Sequence, residues 1–186
     1  MFDMSQWQEI RLDIDPRSNP DIIGSLSELD RHFPEQSIDA IWSSHVLEHL
    51  YAHEIVPALQ QFRRVLKNDG FALISCPDLE SVASLILEHG LDHQAYISAS
   101  GPITPLDMIY GHSSSISRGY GFMAHNTGFT CARLGGILTE AGFDKVLAKR
   151  GLGYELWALA LMDEADDRHI TEQLSASGLD MSVEDA

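Results

Sequence analysis

Apolar and polar residues alternate along Glu9-Ile-Arg-Leu-Asp-Ile-Asp15 and stop at Pro16, which predicts a short strand ending in acids. Asp21-Ile-Ile-Gly24 predicts a second short strand. Ile38-Asp-Ala-Ile-Trp-Ser-Ser44 predicts a third, apolar enough for burial on both faces. The period then becomes helical: between Glu54 and Lys67, residues Ile55, Ala58, Leu59, Phe62, Val65 and Leu66 share one stripe. Pro57 suits only the first turn of that helix, and Asn68-Asp-Gly70 is its expected stop, with Gly70 left-handed. Phe71 to Cys76 reads as the next buried strand, broken by Pro77, and Leu79 to His89 as a second amphipathic helix closed by Gly90.

Regular patterning is lost over residues 92–128, where Gly, Ser, Pro, His and Tyr dominate and only Leu106 to Tyr110 reads as a helical turn. A stretch of that length without a period is expected to be a lid or substrate insertion. A helix from Thr130 to Ala141 follows, closed by Gly142. Asp144 to Lys149 and Leu156 to Met162 then form an expected antiparallel pair turning at Gly151-Leu-Gly153. Strands alternating with helices imply an α/β fold with a mainly parallel sheet and a C-terminal antiparallel strand pair. Trp42 and Trp157 are expected in the core.

The 186 residues suit one domain, taken as 1–162. Twelve basic residues against 28 acidic ones give a net charge of −16, which argues against nucleic acid and anionic lipid as partners. Part of that charge is local. From Asp163 to Ala186, eight acids face only Arg168, so this stretch carries −7 of the −16 and reads as a solvated, disordered tail with at most one weak helical turn. Cys76 and Cys131 sit in apolar settings and are expected as reduced thiols. No run approaches the ~20 apolar residues of a membrane span. The start, Met-Phe-Asp-Met-Ser-Gln, has no basic or apolar region of a signal peptide, so a cytoplasmic location is expected.

Several ordered segments between Glu9 and Met162 together resemble the class I S-adenosylmethionine-dependent methyltransferases, of the methyltransferase type 11 kind. Leu12-Asp-Ile-Asp-Pro16 resembles that family's second strand, whose terminal acid binds the cofactor ribose. A carboxylate there can accept hydrogen bonds from both ribose hydroxyls, and Asp13 matches best, with Asp15 second. Ile23-Gly-Ser-Leu-Ser-Glu-Leu29 resembles the segment framing the adenine, with Ser25 where an acid is common and Leu26 along the ring. Ile38 to Leu50 resembles the fourth strand and the turn after it, and Phe62 to Cys76 the next helix, turn and strand. Thr130 to Phe143 and the last strand pair resemble the family's C-terminal ending. The resemblance implies a Rossmann-like fold, S-adenosylmethionine as cofactor, and cofactor contacts from Asp13, Ile14, Ser25, Leu26, Ser44 and His45. It implies a small-molecule methyl acceptor over a cleft floor of His45 and Glu48.

The family opens with a strand and a Gly-x-Gly loop at a helix N-terminus, where only glycine tolerates the cofactor's approach. The match here begins at the second strand, so the fold is expected to be N-terminally truncated relative to the family. Gly119-Tyr-Gly121 follows no strand and Gly151-Leu-Gly153 leads into one, so neither substitutes. The missing strand is central and should leave backbone groups of two neighbours without their usual partner. Three accounts stand side by side: a late start, a gap filled by Met1 to Gln8 or by a partner chain, and a degenerate relative serving as a cofactor-free binding scaffold. An exposed strand edge would favour homodimer pairing.

His45-Val-Leu-Glu-His49 also matches the His-x-x-Glu-His pattern of inverted zinc peptidases, and His53 extends it to i, i+4 and i+8. The segment follows a strand, Pro57 places the helix later, and no downstream helix offers a third acid ligand. Zinc hydrolysis is therefore the minor alternative, and no metal ligand is assigned. His112 and His125, with Tyr110, Arg118, Tyr120 and Asn126, concentrate polar and aromatic groups in the irregular segment. Acid–base candidates are thus His45, Glu48, His112 and His125, with no role assigned among them.

Overall fold

The computed structural model describes residues 7–181. The first two predicted strands form as a short parallel pair, β1 (Leu12–Asp13) and β2 (Ile22–Ile23), with Leu12 opposite Ile22. They are brief because Pro16 opens a 3-10 turn after β1, and Gly24 and Ser25 end β2, Ser25 capping the 3-10 helix Leu26–Arg31. β3 (Ile38–Ser44) begins a separate four-stranded sheet.

α1 (Ile55–Val65) buries the predicted stripe of Ile55, Ala58, Leu59, Phe62 and Val65. It does not stop at Asn68-Asp-Gly70. The chain turns extended at Leu66 and runs straight into β4 (Leu66–Pro77), whose pairing with β3 shifts register between Leu66 and Phe71. Gly70 is required for a different reason from the one its position suggested. A Cβ there would lie 2.8 Å from the Asp39 carbonyl oxygen, so the residue permits close strand approach and is not a left-handed cap.

α2 (Leu79–His89) ends at Gly90 as expected, and the glycine takes φ +93° there. The irregular segment holds more order than its pattern suggested. It contains a hairpin, β5 (Tyr96–Ser98) and β6 (Gly101–Ile103), then α3 (Pro105–Tyr110) and α4 (Ser113–Ser117). α5 (Cys131–Glu140) is capped by Thr130. β7 (Lys145–Arg150) and β8 (Glu155–Leu161) pair antiparallel as expected. The larger sheet has the order β3-β4-β8-β7, parallel between β3 and β4 and antiparallel beyond. The fold is α/β and Rossmann-like, with a parallel first half and an antiparallel closing pair.

Two apolar layers flank this sheet. Leu59, Phe62, Ile74, Phe129, Leu134 and Leu138 fill one side. The other holds Phe71, Leu73, Leu159, Ile170, Leu174 and Met181. The last three belong to the stretch expected to be a disordered tail. Instead Asp167–Ala176 is a helix, α6, capped by Asp166 and packed on the sheet through Ile170 and Leu174. Its acids occupy the outer face, and the 3.6-residue spacing of Ile170 and Leu174 within the charged run is what the net-charge reading overlooked. Residues 182–186 of that stretch lie outside the described residues.

β3 corrects a second expectation. Only Ser43 of its seven residues is buried, and Trp42 is 51 % exposed rather than in the core; Trp157 is half-buried, its indole N–H donating to Glu155 Oε1. The cause is topological. β3 is the outermost strand of its sheet, and between it and β1 lies a cavity of about 660 Å³ walled by Leu12, Leu26 and Leu29 opposite Ile41, Trp42 and Ser43. No strand of the described residues occupies that slot, where the resemblance placed the absent first strand. Met1 to Gln6, most of the segment suggested to fill it, lie outside the described residues, while Trp7 packs edge-on against Phe71 at its mouth.

Both cysteines are free thiols, Cys76 buried and Cys131 half-buried. Burial pushes the Cys76 thiol far up, with the Glu48 and Asp78 charges adding to the effect, so it is an inert core residue. Among the described residues no helix is long and apolar enough to cross a membrane.

Candidate active site

A cavity of about 1080 Å³ opens over the carboxyl ends of β1, β3 and β4, where open α/β sheets bind ligands. The residues expected at a cofactor, Asp13, Ile14, Ser25, Leu26, Ser44 and His45, all line it. So do the acid–base candidates Glu48, His112 and His125. Positions scattered over 113 residues of sequence (Asp13 to His125) thus converge on a single space.

One end of the cavity is built by β1 and β2. Asp13 sits at the end of β1, and its Oδ1 accepts the Asp15 N–H at 2.8 Å, which fixes the carboxylate while its other oxygen has no recorded partner among the described residues. Asp15, the second choice for that role, is engaged elsewhere. Both its oxygens accept from Arg17 Nε at 2.8 and 2.9 Å, and this hydrogen-bonded ion pair holds its carboxyl below the usual range. Ser25 is committed locally as a helix cap, accepting the Ser27 N–H, and Leu26 offers an apolar wall.

At the opposite end His45 takes φ +52° directly after β3, an uncommon conformation for a non-glycine residue. Its N–H is bound to the Ser75 carbonyl at 2.9 Å, so the sheet itself enforces the turn. The ring then reaches Glu48, Nδ1 lying 3.2 Å from Oε1. Hydrogen bonding to Glu48 raises the His45 pKa against the opposing effect of burial, with Glu48 and Glu155 charges reinforcing it. Glu48 is 1 % exposed, and its second oxygen, Oε2, is buried without a hydrogen-bond partner.

The 92–128 segment, expected to be a lid, is tied to this floor through its backbone. Asn126 and Thr127 N–H groups donate to the Glu48 carbonyl at 2.8 and 3.2 Å, and Asn126 Nδ2 donates to the His49 carbonyl at 2.7 Å. His125 Nδ1 bonds the Met108 carbonyl at 2.9 Å, and burial lowers its pKa, so this ring favours the neutral form. His112 is buried and tied to Ser115 Oγ at 2.8 Å.

Sequence reasoning missed Asp78 as an organising residue and met His49 only as a candidate zinc ligand, without its partner in the 92–128 segment. His49 Nδ1 bonds the Ala124 carbonyl at 3.0 Å and its ring meets His125 with centroids 4.9 Å apart. Asp78 is fully buried at the end of β4, where it caps α2, accepts from Ser81 Oγ and pairs with Arg150 Nε at 3.0 Å. The Pro-Asp-Leu-Glu run at residues 77–80 was the available signal for that cap. No such signal existed for the tie of His49 to Ala124, which lies 75 residues away.

Residues 8–74 match the family model described as a methyltransferase domain. No curated protein matches the chain. Among solved structures, a SAM-dependent methyltransferase from Archaeoglobus fulgidus is similar at 13 % identity and a TM-score of 0.50, covering 81 % of this chain and 74 % of that one. The PH0226 protein from Pyrococcus horikoshii is similar at 12 % identity and a TM-score of 0.52, over 82 % and 70 % of the two chains. A Bordetella parapertussis protein described as a possible exported protein gives 15 % identity and 0.50, over 81 % of this chain but only 52 % of that one. At these identities the structures establish the fold alone, and the sequence match covers residues 8–74. Over residues 8–74 the chain is thus similar in sequence to a methyltransferase domain, and its fold is similar to that of S-adenosylmethionine-dependent methyltransferases.

Proposed function

We propose that this chain binds S-adenosylmethionine in the 1080 Å³ cavity and transfers its methyl group to a small-molecule acceptor held beneath the lid. The observation that carries the reading is the joining of the β1 and β2 ends to the His45–Glu48 floor in a single space. The donor set suits the nucleoside half of the cofactor. Asp13 offers a fixed carboxylate for a ribose diol, Ser25 and Leu26 a polar and an apolar contact for adenine, with Ile14 beside them. Ser44 and His45 border the space between nucleoside and acceptor.

When bound, the cofactor supplies an already activated sulfonium methyl group, so alignment and exclusion of water can provide most of the rate. The chain's own residues fit those tasks. Glu48 on the floor is buried, and the Asn126 and Thr127 bonds to its carbonyl hold lid and floor in register. His45, fixed by Glu48, stands where it can take a proton from an acceptor hydroxyl or thiol.

A second reading, a cofactor-free scaffold, is favoured by one observation: the slot between β1 and β3 has no strand among the described residues. Calorimetric titration with S-adenosylhomocysteine separates the two. Micromolar binding that collapses in Asp13→Ala supports the enzyme reading. No heat at millimolar ligand removes the enzyme reading for this chain and leaves the scaffold.

A further inference from the structure

Glu48, His49 and His125 each bring one ligand atom within 4.8 Å of the others, on the floor of the cavity. Their hydrogen bonds decide which atoms remain available. A carbonyl oxygen only accepts, so His49 Nδ1 must carry the proton it gives to Ala124, and His125 Nδ1 the proton it gives to Met108. In the neutral rings this leaves both Nε2 lone pairs open. Carbonyl partners on the second nitrogen are what hold metal-binding histidines in orientation.

Glu48 supplies the independent sign of a missing partner. Its Oε2 is buried, in a residue 1 % exposed, and no hydrogen bond reaches it, whereas Oε1 is met by His45 Nδ1. A buried carboxylate oxygen without a partner costs free energy that a cation would recover. The sequence pattern His45-Val-Leu-Glu48-His49 lacked a third ligand because the third ligand comes from the lid, 76 residues after His49. His45 itself is not part of the triplet.

We propose that Glu48, His49 and His125 form a binding site for a divalent first-row transition-metal ion, with zinc as the matching probe. Two imidazoles and a carboxylate are the donor set of open zinc sites, which keep a position for an exchangeable ligand. Ligands about 2.1 Å from a tetrahedral zinc stand about 3.4 Å apart, so a small inward turn of the rings closes the present spacing. Because the triplet faces the cavity, the open position faces whatever occupies it. Resting on the methyl-transfer reading, this makes an acceptor with a hydroxyl or thiol the fitting substrate class, since a bound metal acidifies such groups.

The test is titration of chelator-stripped protein with Zn²⁺ in the absence of any nucleoside, repeated with Co²⁺ while recording its visible absorption. One equivalent of saturable binding is expected, weakened tenfold or more in His49→Ala, His125→Ala and Glu48→Gln, with Co²⁺ bands lost in the same variants. His93→Ala controls for the stacked His89–His93 pair, whose rings lie 4.5 Å apart, and is expected to bind as the parent does. Should Glu48→Gln fail to fold by circular dichroism, His125→Ala on the lid decides. Absence of saturable binding, or binding that persists in His125→Ala and disappears in His93→Ala, overturns the site. Failure of S-adenosylhomocysteine to bind overturns the cofactor reading alone, because the metal titration does not use it.

Discussion

The Arg17 guanidinium carbon lies 4.0 Å over the centre of the Tyr120 ring, so a residue just after β1 is strapped to the lid across the mouth of the cavity. Arg17 is held in that pose by Asp15, which accepts from its Nε and pairs with its terminal nitrogen at 2.7 Å. The strap joins the β1 end of the cavity to the segment around Tyr120, and it does so through exposed groups. Tyr120→Leu keeps an apolar side chain but removes the ring face that attracts the cation. Amide hydrogen exchange over residues 118–124 is expected to quicken by about two- to fivefold in this variant, with α1 and β4 unaffected. Equal exchange in parent and variant would show that the contact does not hold the lid.

Gly111 joins α3 to α4 at φ +92°, and a Cβ there would lie 1.9 Å from the Met123 carbonyl oxygen. Two constraints therefore act together, a left-handed backbone and contact with another backbone. Gly111→Ala is expected to cost about 1–3 kcal/mol and to displace the 121–124 turn. Urea unfolding checks the cost. Gly119 also has positive φ but nothing within reach of a Cβ, so Gly119→Ala should show the conformational cost alone and be milder.

Much of the fold was legible because local pattern and tertiary demand agree. α2 runs over its predicted Leu79–His89, β3 over Ile38–Ser44, and the α1 stripe is buried as spaced. Agreement fails where a distant neighbour decides. Nothing local in Trp42 reveals that β3 is an outermost strand, and nothing in Gly70 reveals the Asp39 carbonyl 2.8 Å from its would-be Cβ. The charge of the last stretch hid a helix because the apolar residues that dock α6 on the sheet, Ile170 and Leu174 with Ala165 and Met181 on either side, are few and spaced among acids. Candidate site residues were readable where they follow strands, as Asp13 and His45 do. The lid partners of Glu48 and His49 were not, because backbone groups of residues 124–127 carry no side-chain signature.

Asp78 gathers several contacts at one buried corner. It caps α2 through the Glu80 N–H at 3.0 Å, accepts from Ser81 Oγ, pairs with Arg150, and gives its own N–H to the Tyr154 carbonyl. Asp78→Ala leaves a helix end uncapped and removes the acceptor facing Arg150, for an expected loss of roughly 3 kcal/mol. Arg150 is half exposed, with Glu80 as an alternative partner, so Arg150→Ala should cost clearly less. Chemical denaturation of both variants tests the order. A larger loss for Arg150→Ala would show that the ion pair, not the cap, holds this corner.

Asp107 ties the lid together, and its ionisation makes that tie dependent on acid. With Thr104 it forms a reciprocal cap at the start of α3: Thr104 Oγ1 and N–H donate to Oδ2 at 2.7 and 3.0 Å, and Asp107 N–H returns a bond to Thr104 Oγ1. Oδ1 accepts the Ser113 N–H at 2.8 Å, fastening α4 to α3. Burial alone would raise the carboxyl pKa, but these donors outweigh it and bring the value from 3.8 down to about 2. A carboxyl whose folded value is depressed contributes stability that is complete above its unfolded value and disappears as pH falls through the folded one. Asp107→Asn is therefore expected to lose about 1–2 kcal/mol at neutral pH, where three charge-assisted bonds are weakened. The gap between parent and variant should hold down to about pH 4 and then narrow towards pH 2, as the parent's own carboxyl takes up its proton. Urea unfolding at stepped pH reads this directly; a gap that stays constant across that window would mean that Asp107 acts through packing and not through its charge.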